Sequence, residues 1–242
     1  MNNKMKIDNL ENKKVMDELS VMDEMLDFTN SNILEIGCGN AKRAQEIALS
    51  RNISSFKAVE VDLTAHKINL SKNINKLYFD SYPCEDIQEQ DRSFDIVMML
   101  KSFHHVSPNK MFVGLKEINR VLKSSGLLYI SEPIFNGNYN NVIRIFHNEQ
   151  EVRALAFKAI KLSIEKNLFE LVSQFFYSSV ITLNSFEEFE NNVIKATHTN
   201  HDLSYDKYVE VKNKFESYKD LSRSPNYFFE VPMRVDLLRK IS

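Results

Sequence analysis

The run Ile33-Leu34-Glu35-Ile36-Gly37-Cys38-Gly39-Asn40-Ala41 constrains this chain more than any other segment. An apolar stretch interrupted only by Glu35 reads as a buried strand, and two glycines one residue apart end it before a helical pattern begins. Glycine is needed where a backbone turns tightly, or where a ligand lies too close to tolerate a Cβ. The run therefore predicts a strand, a glycine turn and a helix, with a ligand against the main chain of the turn.

The rest of the N-terminal half repeats that alternation. Apolar positions at helical spacing predict a helix from Lys13 to Phe28, within an N-terminal helical segment of residues 1–30. Ile33 to Ile36 is the first strand, and Asn40 is placed to cap a helix carrying Ala41, Ala44, Ile47 and Ala48. Phe56 to Val61 reads as a second strand ending at Asp62, followed by a helix capped by Thr64 and running to about Asn73. Leu77 to Phe79 is a short third strand, Phe94 to Leu100 a fourth and Leu127 to Ile130 a fifth. Ser107-Pro108 opens the intervening helix. Strands and helices alternating at this spacing imply right-handed crossovers and a mostly parallel, doubly wound α/β sheet of Rossmann-like type. Ligands of such sheets sit beyond the carboxyl ends of the strands. Those ends here carry Glu35 and Gly37, Asp62, Leu100 and Lys101, and Glu132.

Beyond Pro133 the pattern changes. A polar loop containing Gly137 and Tyr139 leads into helical sequence from Val142 to Lys166, broken near His147. Phe169 to Leu183 reads as a long strand. Ser185 and Glu188 suggest a capping box for a helix to about Ala196, and a further helix spans Tyr205 to Tyr218. Tyr227 to Leu238 closes the sheet, with Pro232 pointing to an edge or a bulge. One domain over residues 1–242 is expected, with helical cap insertions at about residues 136–168 and 184–220.

Bulk properties narrow the partners. A net charge of −2 gives no basic field for nucleic acid. Two cysteines, Cys38 and Cys84, form no spaced framework and suggest a reducing, cytoplasmic setting. No apolar run approaches the roughly 20 residues that span a bilayer, and the lysines near the N-terminus precede no signal-peptide core.

The glycine turn is not a dinucleotide fingerprint. Lys42 stands where the third small residue of that motif should pack, and Glu35 would face a pyrophosphate unfavourably. A carboxylate ahead of the glycines suits a cationic ligand. Four segments then resemble the successive motifs of class I S-adenosylmethionine-dependent methyltransferases, in particular the small-molecule branch of that family. They are Glu35-Ile36-Gly37-Cys38-Gly39, Val61-Asp62-Leu63, Ser93-Phe94-Asp95-Ile96-Val97 and Arg120-Val121-Leu122-Lys123-Ser124-Ser125-Gly126-Leu127. The resemblance covers about Ser31 to Pro133.

It implies a seven-stranded sheet and S-adenosyl-L-methionine as methyl donor, with S-adenosyl-L-homocysteine as product. Glu35 to Gly39 would hold the methionine portion. Asp62, with Leu63, would take the ribose hydroxyls, Glu60 being its rival on the same strand face. Cys84 and Glu85 would border the adenine, and Leu100 and Lys101 the sulfonium. The chain departs from the family at Ala41, where a third glycine is common, at Pro83, where an aspartate is frequent, and at Ser124-Ser125, where Pro-Gly is usual.

The acceptor is less constrained. Methyl transfer is an in-line displacement, so positioning does much of the work, and a base is needed only if the acceptor must lose a proton. His105 matches a histidine often found in this branch, and it and His104 are the catalytic candidates. Tyr139, Arg144, His147, His198, His201 and Arg234 are candidate acceptor contacts. His198 and His201, three residues apart beside Asp202, raise a metal reading, which the lack of a cysteine pair or a clear helix disfavours; no metal is expected. The expected activity is methyl transfer to oxygen or nitrogen of a small molecule. A nucleic-acid or protein methyltransferase and a non-catalytic cofactor-binding subunit are the alternatives. The segment Leu100-Lys101-Ser102-Phe103 lacks the Asn/Asp-Pro-Pro-aromatic motif of nucleic-acid amino-methyltransferases.

Overall fold

A computed structural model of the chain describes residues 5–9, 14–195 and 201–241. Seven strands form one sheet: β1 (Asn32–Ile36), β2 (Ser55–Val59), β3 (Leu77–Asp80), β4 (Phe94–Leu100), β5 (Leu122–Pro133), β6 (Phe169–Leu183) and β7 (Tyr227–Lys240). Their order across the sheet is β3-β2-β1-β4-β5-β7-β6. The first five strands pair in parallel, and β7 runs antiparallel between β5 and β6. Chain order reverses between β1 and β4, so the switch-point crevice opens at the glycine turn.

Strand alternation divides the core. Leu34, Ile36, Val97, Met99, Leu128 and Ile130 point to one face, where α4 (Met111–Val121) and α6 (Gln150–Glu165) cover them. Ile33, Ile96, Met98 and Tyr129 point to the other, beneath α1 (Glu18–Met25) and α2 (Lys42–Ser50). Burial on both faces explains why β4 reads as an almost unbroken apolar run. Between β2 and β3 lies α3 (Leu63–Leu70). Between β5 and β6 the chain adds α5 (Asn138–Ile143) ahead of α6. Between β6 and β7 it adds α7 (Phe186–Phe189), a π-helical turn (Glu190–Ile194) and α8 (Tyr205–Glu216). An aromatic cluster including Phe186, Phe189, Phe215 and Phe229 packs these helices onto the ends of β6 and β7.

Several elements differ from the sequence reading for identifiable reasons. The first helix begins at Glu18, because Asp17 accepts the backbone N–H of Leu19 at 2.8 Å and caps it. The residues before it form a strap instead: Met16 donates to the Ser178 carbonyl, and Ser178 donates to the Lys14 carbonyl. The fourth helix starts at Met111 rather than at Ser107-Pro108, since the Ser107 carbonyl closes a turn with Lys110 and Met111. Pro232 lies on β7, an inner strand, but just past the end of that strand's ladder with β5. The pairing of β5 with β7 runs from Leu127–Arg239 to Pro133–Met233, so β5 has ended where the proline offers no N–H.

Candidate cofactor and acceptor site

At the glycine turn the backbone nitrogens of Gly37 and Cys38 donate to the Val59 carbonyl at 2.9 and 3.0 Å, tying the turn to the end of β2. Gly37 and Gly39 have φ of +72° and +53°. A Cβ on Gly37 would lie 2.6 Å from Ser102 Cβ, whereas one on Gly39 would meet nothing within 4 Å. The first glycine therefore lets the loop after β4 close on the turn, and the second faces open space. Ala41, at φ +53°, occupies the same left-handed region without being glycine. It is the residue preceding α2, and Asn40 contributes by accepting the Lys42 N–H at 3.1 Å rather than by capping. Behind the turn, buried Asn69 donates to the Gly39 carbonyl at 2.7 Å, and Lys72 reaches the Asn40 carbonyl.

Glu35 is buried, and its Oε2 has no hydrogen-bond partner. Burial, reinforced by the Glu18 carboxylate, pushes its pKa up to about 8. An orphaned acidic oxygen beside an open glycine turn fits the ammonium of a bound amino acid moiety, as S-adenosylmethionine would present.

The acids after β2 divide their work in a way the sequence did not decide. The strand ends at Val59 rather than Val61, and Asp62 caps α3 by accepting the N–H of Thr64 at 2.8 Å. Glu60 instead reaches the glycine turn, accepting from Gly39 N at 2.7 Å and from Asp62 N at 3.0 Å. Leu63 is exposed beside them. Cys84 is buried against Gly114 of α4, and burial pushes its thiol up to about 12. Glu85 pairs with Lys110 at 2.8 Å, so the adenine-side expectation rests on half-buried Glu85 and on backbone rather than on the Cys84 thiol.

At the mouth of β4, half-buried Leu100 leads into Lys101, whose Nζ donates to buried Glu18 at 2.8 Å; Ser131 Oγ reaches the other Glu18 oxygen at 2.7 Å. A single helical turn, Phe103–His105, then presents the two histidines differently. His104 is buried; its Nδ1 is paired with Glu132 Oε2, and its Nε2 lies 3.3 Å from Glu149 Oε1. Burial opposes its charge, but the two glutamates outweigh it and raise His104 to about 9. That proton makes it a poor base at neutral pH, contrary to its place among the catalytic candidates. His105 is about half exposed, and its pKa is held below the ordinary imidazole value by desolvation and by its charged neighbour His104. Glu149, just before α6, gathers His104, His105 at 3.9 Å, His147 at 2.9 Å and Arg153 at 2.5 Å. These charges hold it ionised, well below the usual carboxylate range.

This cluster lines a cavity of about 640 Å³ between the strand ends and the inserted helices, walled by Met16, Ile143, Val180, Ile181, Val193 and Val231. Tyr139, His147 and His201 line it as well. Arg144 does not: it is exposed and stacks on Phe135. Nor does Arg234, which is buried over Phe157 and paired with Asp236 at 2.8 Å, leaving no free charge for an acidic acceptor. His198 lies outside the described residues. Glu18, Glu149 and Arg153 were not singled out by the sequence; each is an ordinary charged residue until the fold brings distant segments together.

Known proteins resemble this chain in sequence and in fold. Residues 34–130 match the methyltransferase domain family. The mitochondrial ubiquinone biosynthesis O-methyltransferase of Candida albicans is 32% identical over 130 residues, covering 50% of this chain and 38% of that protein. The ubiquinone/menaquinone biosynthesis C-methyltransferase UbiE of Geotalea daltonii is 34% identical over 112 residues, 43% of this chain and 46% of its own length. The chain thus spans less than half the length of either relative. A Bacillus halodurans structure assigned as a methyltransferase superposes with a TM-score of 0.63 at 16% identity, covering 93% of this chain and 99% of that one, which establishes the shared fold. No helix among the described residues is long and apolar enough to cross a membrane. Residues 34–130 thus carry a methyltransferase domain, on a sheet whose strand order is that of the Rossmann-like fold shared with its structural neighbour.

Proposed function

We propose that the chain transfers a methyl group from S-adenosyl-L-methionine to an oxygen or nitrogen of a small-molecule acceptor, releasing S-adenosyl-L-homocysteine. The observation that carries this reading is the cavity of about 640 Å³ floored by His104, His105 and Lys101, the last of which directly precedes Ser102, the residue packed against Gly37 of the glycine turn. Its size suits a small molecule. Its wall is largely apolar and its floor polar, which favours an acceptor with an apolar body and a hydroxyl or amine. The ubiquinone-pathway relatives support a hydroxylated ring as the first class to test.

In this reading Glu35 takes the ammonium of the cofactor, the glycine turn holds its methionine portion and Glu60, in preference to Asp62, takes the ribose hydroxyls. Leu63, Glu85 and the backbone of Cys84 border the adenine. Leu100 and Lys101 flank the methyl end. Bound there, S-adenosylmethionine supplies an electrophilic methyl group on a sulfonium. His105, uncharged near neutral pH and open to the cavity, receives the proton of the acceptor; Glu149, 3.9 Å from its Nδ1, stabilises the imidazolium that results. His104, pinned between Glu132 and Glu149, positions this pair. The helices between β5 and β6 and between β6 and β7 act as a cap that excludes water, with Tyr139, His147 and His201 facing the acceptor. A net charge of −2 argues against a nucleic-acid partner. Two buried cysteines, neither in a disulfide, support a reducing, cytoplasmic compartment.

The test is transfer of labelled methyl from S-adenosylmethionine to a panel of phenols, quinols and amines. Label in the small-molecule fraction is the expected result. Cofactor binding with no transfer to any metabolite extract would instead indicate a non-catalytic subunit.

A further inference from the structure

We infer that His104, His105 and Glu149, with His147 as a fourth donor, form a binding site for a divalent transition-metal ion of the zinc class on the cavity floor. One donor atom from each of the first three lies within 4.8 Å of the others. Measured from Glu149 Oε1, the imidazole nitrogens stand at 2.9 Å (His147 Nε2), 3.3 Å (His104 Nε2) and 3.9 Å (His105 Nδ1). A tetrahedral ion with bonds of about 2.0–2.1 Å spaces its donors about 3.3 Å apart, within this range.

Hydrogen bonding alone accounts poorly for the convergence. The Glu149 oxygen offers its two lone pairs to His147 and His104, and His105 Nδ1, at 3.9 Å, stands beyond hydrogen-bond reach of it. An ion among them would give each nitrogen a partner. The surroundings are those of a held ligand set. Glu132 occupies His104 Nδ1 and also accepts the Phe103 N–H at 3.0 Å, which fixes the ring and leaves Nε2 facing the cluster. Arg153 occupies the other Glu149 oxygen. His201 packs edge-on against His147, with ring centroids 4.7 Å apart. Half-exposed His105 leaves a path of entry from the cavity.

The donor types select the metal. Imidazoles with one carboxylate and no thiolate suit zinc, cobalt, nickel or ferrous iron; magnesium and calcium prefer oxygen cages. The sequence reading raised a metal at His198 and His201 and disfavoured it; the fold instead assembles these donors from separate segments. On the methyltransferase reading, and resting on it, the ion would bind a hydroxyl or keto oxygen of the acceptor and lower the hydroxyl pKa. His105 would then act as a ligand rather than as a base.

The experiment is calorimetric titration of the metal-stripped chain with Zn²⁺ alone, and separately with S-adenosylhomocysteine. His105→Ala and His147→Ala are the variants, because both side chains reach the cavity surface and their loss spares the buried Glu132 pairing. The expected result is one equivalent of Zn²⁺ bound by the wild type and affinity reduced at least about tenfold in each variant, with S-adenosylhomocysteine affinity unchanged. No stoichiometric Zn²⁺ binding, or binding indifferent to both substitutions, overturns the site and leaves the cluster a charge network holding the cap to the sheet. Zn²⁺ binding without S-adenosylhomocysteine binding upholds the metal site and counts against the methyltransferase reading alone.

Discussion

The Glu60 carboxylate accepts a hydrogen bond from the Gly39 backbone nitrogen at 2.7 Å, which places an acid from the end of β2 directly on the glycine turn. Asp62, two residues on, spends its carboxylate capping α3. The two acids are therefore separable. Glu60→Gln should weaken S-adenosylhomocysteine binding by at least about tenfold, through loss of a charge-assisted hydrogen bond, and shift the melting temperature little. Asp62→Ala should do the reverse, costing about 1 kcal/mol of stability, or a melting temperature lower by about 2–4 °C, with affinity nearly intact. Calorimetry and thermal melts on both variants check the assignment, and an affinity loss confined to Asp62→Ala would reverse it.

Glu35 should give the ligand-free protein a distinct pH profile. Its pKa stands at about 8 in the fold against 4.5 for the free side chain. Between those values the folded protein keeps a proton that the unfolded chain has lost. Stability from this group is complete below the lower value, falls as pH rises toward 8 and is level above it. Glu35→Gln should flatten that decline and raise the melting temperature at pH 8, while weakening cofactor binding. Melting temperatures from pH 5 to pH 9 for both proteins measure the effect, and parallel profiles would exclude it.

Ala41 carries a φ of +53°, a conformation that costs a residue with a Cβ about 1 kcal/mol. Its side chain is fully buried, so the substitution trades that strain against a lost methyl contact. Ala41→Gly should leave stability within about 1 kcal/mol of the wild type and retain cofactor binding. Ala41→Val, with a branched Cβ in the same conformation, should lower the melting temperature by several degrees. Denaturant titration of the two variants reads both outcomes.

His105→Ala separates chemistry from cofactor binding. With the half-exposed imidazole gone, turnover should fall by about 100-fold, while S-adenosylmethionine affinity changes less than about threefold. The check is kcat against calorimetric Kd once an acceptor is in hand. Equal losses in both would make His105 part of the cofactor site.

Much of the frame was legible because buried parallel strands advertise themselves. The apolar runs at Ile33 and Phe94 and the aromatic run of Phe169 to Leu183 all became strands at or near the expected bounds. Local capping was harder to read. Glu60 and Asp62 share a strand face, and only the strand's early end at Val59 decides which one turns back to Gly39. Arg234 and Asp236, two residues apart on β7, share a strand face and pair with each other. The acceptor floor was least legible of all. His104, Glu132 and Glu149 come from a turn, a strand end and a helix start, and no spacing in the sequence announces that they meet.

The central claim is that the glycine turn, Glu35 and Glu60 form an S-adenosylmethionine site. Calorimetric titration of the purified chain with S-adenosylmethionine and S-adenosylhomocysteine tests it most directly. The account predicts one equivalent of each bound at micromolar affinity or tighter, weakened by both Glu35→Gln and Glu60→Gln. Failure of the folded protein to bind either compound, or tight binding of NAD in their place, would contradict it.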